Sequence, residues 1–286
     1  MKKLSLVGVA LLISLATELF NDAQASSLDT VKGVYLGLSS GGADDGKLVL
    51  GIVAGDGSYD FIYSPASSPS SVDFMDTGSG QISSGEFFAP IDLNNNLSTR
   101  VARYGTLSAT YTTGALLSPT FVYGGGDSTT STMGFTSGSD VTTSLASLGT
   151  RSFGVQLSAT RWYPNSYPCN SWQPSISFTI NPVSGVLTGT IPACTVTLMG
   201  KGSCYVSGQV QPAVGINAFL ISMSFGCIDG GGLPTGWDSG PFSGMAYFDA
   251  TTAKLTMGAV ASDNAAIGFA DTAGTIVNEI FSGTFD

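Results

Sequence analysis

The chain has 286 residues, of which 43% are hydrophobic and 10% are charged, with a net charge of −10 and a pI near 4.2. It contains no histidine, which excludes Ser-His-Asp and Cys-His catalysis as well as His-ligated zinc or haem. Ten Lys and Arg residues against 20 Asp and Glu residues also exclude nucleic-acid binding, which requires clustered basic side chains.

Residues 1–25 have the pattern of a secretory signal peptide. Lys2 and Lys3, typical of a bacterial signal, precede an apolar run over residues 4–15, and a small-x-small site follows at Ala23-Gln24-Ala25. A membrane-spanning helix needs about 20 residues, more than this run contains, and polar residues follow the run. Both features argue against an uncleaved membrane anchor. We therefore expect export to the periplasm, the cell surface or the medium, with no transmembrane segment in the mature chain.

Residues 26–143 read as short β-strands separated by turns. Runs rich in Val, Ile, Tyr and Thr predict strands at Val31–Ser39, Lys47–Val53, Tyr59–Tyr63 and Thr106–Tyr111. Glycine and asparagine clusters predict turns at Gly41-Gly42, Gly55-Asp56-Gly57, Asn94-Asn95-Asn96 and Gly124-Gly125-Gly126. This spacing is typical of an antiparallel barrel or sandwich.

Asp56, Ser58 and Asp60 have the spacing of the first half of a calcium loop, but the later bidentate glutamate is missing because the next glutamate is Glu86. The alternative is an Asp-Gly hairpin turn that enters a strand. Asp44 and Asp45, the densest acidic spot, are expected at an exposed loop tip. No cofactor is expected.

A helical pattern occurs once in the mature chain, at Ser139–Leu148. A weak internal repeat, such as Gly80–Gly85 against Gly185–Gly189, has a nearly constant offset. We therefore predict two β modules of similar size, residues 26–143 and 144–286. A single larger sheet system is the alternative.

The second half continues the strand pattern and contains all four cysteines. Strands are predicted at Phe153–Trp162, Ile176–Ile180, Val186–Ile191, Tyr205–Val210, Ile216–Phe225 and Phe242–Phe248. An even number of cysteines in an exported chain indicates two disulfides with three connectivities, and the pairing of near neighbours favours Cys169–Cys194 and Cys204–Cys227. Their spacings do not fit a metal site.

A segment from residue 161 to residue 172 is rich in aromatic residues and proline. Trp162, Tyr163, Tyr167 and Trp172 lie in it, and Trp237 lies in a second glycine-flanked loop. Such side chains on a rigid loop suit stacking on sugar rings or anchoring a protein partner. The alternative is that they cover the end of a β core.

The hairpin patterns resemble those of bacterial surface β-barrel modules, such as the barrel domains of transferrin-binding-protein-like surface proteins. The segments that carry this resemblance are Gly33-Val34-Tyr35-Leu36-Gly37, Asp56-Gly57-Ser58-Tyr59, Gly80-Gln81-Ile82, Gly185-Val186-Leu187-Thr188-Gly189 and Phe281-Ser282-Gly283-Thr284-Phe285. The resemblance implies a rigid antiparallel barrel whose loops bind a host or environmental partner.

Taken together, the sequence predicts an exported all-β protein that binds a glycan or a protein partner without catalysis. One alternative is a secreted polysaccharide hydrolase that uses two carboxylates. The sequence marks out no such pair, and single replacement of Asp44, Asp56, Asp60 and Glu86 by amides would test it. Another is an outer-membrane β-barrel or a structural surface protein. The sequence sets no oligomeric state.

Overall fold

The computed structural model describes residues 28–67, 72–96, 101–156, 158–159, 175–191, 203–228, 239–261, 266–270 and 275–276. Within these ranges the chain forms 19 β-strands, all paired antiparallel, and two short 3₁₀ helices at Gly42–Asp44 and Leu145–Leu148. The predicted all-β, antiparallel fold class is confirmed.

Nine strands from the first half of the chain form one sheet. They are β1 Gly33–Ser40, β2 Leu48–Val53, β3 Ser58–Ser64, β4 Phe74–Ser79, β5 Gln81–Ser83, β6 Glu86–Asn96, β7 Val101–Thr112, β8 Leu116–Tyr123 and β9 Ser128–Phe135. The strand order is β4-β3-β2-β1-β9-β8-β7-β6-β5, and β4 also pairs with β6. This last pairing closes strands β1 to β4 and β6 to β9 into a barrel.

Aromatic side chains fill the interior of this barrel. Alternation along β8 and β9 turns every second residue inward, as expected of strands with one buried face. Phe61 and Phe121 meet edge to face with their ring centroids 5.1 Å apart, and Tyr63 stacks on Phe74 at 3.9 Å. The described part of the barrel interior is therefore packed with side chains.

The second sheet contains ten strands from the other half of the chain. They are β10 Arg151–Gln156, β11 Ser158–Ala159, β12 Ser175–Ile180, β13 Val186–Thr190, β14 Ser203–Pro212, β15 Phe219–Ile228, β16 Ser239–Asp249, β17 Lys254–Ala261, β18 Ala266–Ala270 and β19 Thr275–Ile276. Their order is β11-β18-β17-β16-β15-β14-β13-β12-β10-β19. Phe153, Phe178, Phe219, Phe242 and Phe248 belong to its own hydrophobic core.

A disulfide crosslinks two neighbouring strands of the second sheet. Cys204 on β14 and Cys227 on β15 are register partners with their Cα atoms 4.0 Å apart. The predicted Cys204–Cys227 disulfide is confirmed. Cys169 and Cys194 lie outside the described residues, so that second pairing stays a prediction.

Two predictions of local secondary structure are wrong. The Asn94-Asn95-Asn96 segment, predicted as a turn, continues β6 and pairs with both β4 and β7, because two flanking strands outweigh the low strand propensity of asparagine. The predicted helix Ser139–Leu148 is reduced to the 3₁₀ helix Leu145–Leu148. Ser139 is instead fully buried, and its hydroxyl accepts the Val34 N–H at 2.9 Å.

The two sheets share an apolar contact, which we call the seam. Ile52, Ile62 and Met75 on the outer face of β2, β3 and β4 belong to one cluster of buried residues with Ile216 and Met245 from the second half of the chain. The predicted division at residue 143 falls in the segment between β9 and β10 and stays a prediction.

Candidate binding cleft at the seam

A cleft of about 660 Å³ opens beside the apolar part of the seam. The first sheet contributes Ser58, Asp60 and Thr77 to its lining, and the second sheet contributes polar and apolar side chains from β14 to β17. Those of the second sheet include Gln209, Gln211, Leu220, Ser222, Ser243 and Val260. Neither sheet forms this cleft alone.

The alternation of β3 places one carboxylate at the seam. Tyr59, Phe61 and Tyr63 point into the barrel core, whereas Ile62 joins the cluster at the seam. Asp60 has the same parity as Ile62, and its Oδ2 accepts the N–H of Met245 on β16 at 2.7 Å. The period of two in a strand therefore explains why an aspartate flanked by aromatic residues faces the other sheet.

Asp60 is a buried carboxylate whose partners are neutral. Its residue is 2% exposed, and besides Met245 it has a hydrogen bond with the side chain of Thr77. Burial raises the pKa of Asp60 from its ordinary value near 3.8 to about 7, although these two hydrogen bonds lower it. The ion pairs among the described residues involve Lys32 and Lys47, not Asp60.

The residues of the calcium pattern lie in different surroundings. Asp56 is exposed, and its Oδ1 accepts the Ser58 N–H at 2.9 Å in the turn between β2 and β3. Gly57 has a φ of 87°, which glycine adopts readily, so the alternative of an Asp-Gly turn is confirmed. Among the described residues, no group of three or more Asp, Glu, Cys or His side chains is placed to hold a metal ion. Calcium binding itself stays a prediction.

Asp44 is not at an exposed loop tip, contrary to the prediction. It is 6% exposed and lies 3.6 Å from the Lys47 ammonium. Nearby, the fully buried Asp76 accepts the Tyr123 hydroxyl at 2.9 Å. Burial and the closeness of Asp76 raise the pKa of Tyr123 well above its ordinary value, so this hydroxyl stays a donor.

Two of the hydrolase candidates, Asp44 and Asp56, do not share one site. Asp44 lies between β1 and β2, whereas Asp56 lies between β2 and β3, so the length of β2, roughly 16 Å, separates them. Glu86 is exposed at the start of β6. Carboxyl pairs in glycosidases are at most about 9.5 Å apart.

The predicted aromatic contacts Trp162, Tyr163, Tyr167, Trp172 and Trp237 lie outside the described residues. The cleft residues of the second sheet were not predicted from the sequence, because no local pattern joins them to β3. The one available signal was Asp60 itself, a carboxylate inside the apolar run from Tyr59 to Tyr63, where an unexplained charge points to a special environment.

No protein-family model matches the chain, and no curated protein matches it. Among solved structures it is similar to the vaccine antigen transferrin binding protein B from Haemophilus parasuis Hp5, in a tryptophan-to-alanine mutant. The match has 8% identity and a TM-score of 0.28, and covers 85% of this chain and 76% of that one. Separately, no helix within the described ranges is long and apolar enough to cross a membrane.

Proposed function

We propose that the chain is an exported, non-catalytic binding protein that recognises a glycan or a protein partner at the cell surface or in the medium. The observation that carries the proposal is the cleft of about 660 Å³ at the seam, a volume within the range of about 300–1,000 Å³ that is typical of ligand sites. Its lining combines apolar side chains with a few hydroxyl and amide groups, as binding sites commonly do.

A hydrolase is the second candidate, because a buried carboxylate with a raised pKa is a common general acid. A glycosidase, however, needs a second carboxyl group close to the first. Asp60 is the single carboxylate among the described residues that line the cleft. The cleft is thus better suited to holding a ligand than to cleaving one.

The aromatic-rich segment from Trp162 to Trp172 is the second contact that we propose. Its tryptophans and tyrosines have flat apolar faces with polar tips, which suit a sugar ring or a protein surface. This part of the proposal rests on the sequence alone.

An array of glycans and of host and environmental proteins, probed with residues 26–286, tests the proposal. Each ligand found is measured again with Ser222→Trp, which fills the cleft, and with Ser207→Trp as the matched control. Both serines are exposed on neighbouring strands of the second sheet, but Ser207 does not line the cleft. We expect Ser222→Trp to weaken binding at least about tenfold and Ser207→Trp to change it less than about twofold.

Equal effects of the two tryptophan variants, or no ligand on the array, would contradict binding through the cleft. Any glycan ligand is also assayed for the release of reducing sugar. Release that disappears in Asp60→Asn while binding persists would establish the hydrolase instead.

A further inference from the structure

Among the described residues that line the cleft, a single side chain is a carboxylate. Of the described residues that line it, only Asp60 is ionisable near neutral pH, and the others are hydroxyl, amide, glycine or apolar residues. The negative charge lies at the inner wall, where the residue is 2% exposed. A charge in such a desolvated position interacts more strongly with a nearby opposite charge than it would in water.

No cation of the described protein neutralises this charge. Met245 and Thr77 give Asp60 an amide and a hydroxyl donor, which use part of the acceptor capacity of the carboxylate and leave its negative charge uncompensated. Elsewhere in the first half of the chain, the Lys47 ammonium lies 2.8 Å from Asp73 and 3.6 Å from Asp44. The pKa of about 7 at Asp60 agrees with this contrast, because a cation in contact would lower it.

The remaining lining suits an apolar stem that ends in a polar head. Leu220, Val260 and Ala261 supply apolar surface, and Gln209 and Ser243 supply hydrogen-bonding groups. The net charge of −10 over the whole chain also favours the approach of cations over anions.

From these observations we propose that the cleft selects a ligand carrying a protonated amine or a guanidinium on an apolar stem, with the cation seated at Asp60. The inference rests on the proposed function, because it names the ligand class of the same cleft. A lysine-like or arginine-like side chain of a partner has this chemistry, and so has a free alkylamine.

The test compares n-pentylammonium with n-pentanol and pentanoate, which share the five-carbon stem and differ in the head group. Binding to ¹⁵N-labelled residues 26–286 is followed at pH 8 through the amide signals of Met245 and the other cleft residues. We expect n-pentylammonium to bind at least about tenfold more tightly than n-pentanol, and pentanoate to bind least.

Two variants locate the source of the preference. Asp60→Asn should abolish the difference between n-pentylammonium and n-pentanol. Asp56→Asn is the matched control, because it removes the same charge from an exposed turn that does not line the cleft, and it should keep the wild-type preference. The comparison of the probes on the wild-type chain does not depend on how well either variant folds.

Different results would contradict the cation selectivity and the proposed function of the cleft. Equal affinities for the three probes at the cleft would overturn the cation selectivity and leave binding at the cleft intact. A ligand from the array that binds the chain without shifting any cleft amide signal would overturn the proposed function of the cleft itself, and the selectivity with it.

Discussion

Replacing Asp60 with asparagine should remove a pH-dependent loss of stability. Burial raises the pKa of Asp60 to about 7 in the folded chain, whereas the pKa of an aspartate in an unfolded chain is about 3.9. Because the folded-state pKa is the higher one, the folded chain favours the protonated acid. The stability that the folded chain gains from protonation of Asp60 is fully present below the pKa that Asp60 has in the unfolded chain. It is lost as the pH rises through about 7, the pKa of Asp60 in the folded chain.

The size of this loss of stability follows from the difference between the folded-state and unfolded-state pKa values of Asp60. Each pH unit between them changes the folding equilibrium about tenfold, so the whole interval of about three units corresponds to about 4 kcal/mol, of which 2 to 3 kcal/mol, roughly, falls between pH 5 and pH 8. An asparagine keeps an oxygen that accepts the Met245 N–H, which Asp60 binds at 2.7 Å, but it carries no charge at any pH.

Urea denaturation of wild type, Asp60→Asn and Asp56→Asn at pH 5, 6, 7 and 8 measures the effect. The stability of Asp60→Asn relative to wild type should rise by about 2 to 3 kcal/mol from pH 5 to pH 8, because all other carboxylates contribute equally to both chains. Asp56→Asn should follow the wild-type pH dependence. Parallel curves for wild type and Asp60→Asn would refute the reasoning that Asp60 is buried without a cation.

Three further predictions follow from other parts of the molecule. Gly37→Ala should destabilise the chain by about 1–3 kcal/mol in urea denaturation, because the added Cβ would collide with the backbone of β9. Gly134→Ala is the control: the atom nearest to its added Cβ is 3.9 Å away, so the loss of stability should be less than about 0.5 kcal/mol. Replacing both Cys204 and Cys227 with serine should lower stability by about 2–4 kcal/mol, and an unchanged urea midpoint would contradict this. Trp172→Ala should weaken binding of a ligand found on the array by about 2 kcal/mol in titration calorimetry; full affinity would assign that tryptophan to the core.

The sequence predicted those elements whose signal is local. The alternation of Thr106–Tyr111 predicted part of β7, and the Asp56-Gly57 pair predicted the hairpin between β2 and β3. Strand β8 was missed because Pro119, which lacks a backbone donor, interrupts its pattern. In the structure, Pro119 is buried and is the register partner of Ala109.

The closure of the barrel and the cleft could not be predicted from local patterns. Closure depends on the pairing of β4 with β6 through Asn94–Asn96, where composition favoured a turn. The cleft depends on Asp60 and Met245, which are 185 positions apart in the chain. The pattern around Asp60 showed a carboxylate in an apolar run, but only the packing of the two sheets shows what it faces.

Hydrogen–deuterium exchange on residues 26–286, with and without a ligand found on the array, tests binding at the seam most directly. The account predicts protection on both sides of the cleft, in residues 58–60 and 77–79 of the first sheet and in residues 209–211, 220–222 and 243–245 of the second sheet. Protection confined to one sheet, or found only away from these segments, would contradict the claim that the two sheets together form the binding site.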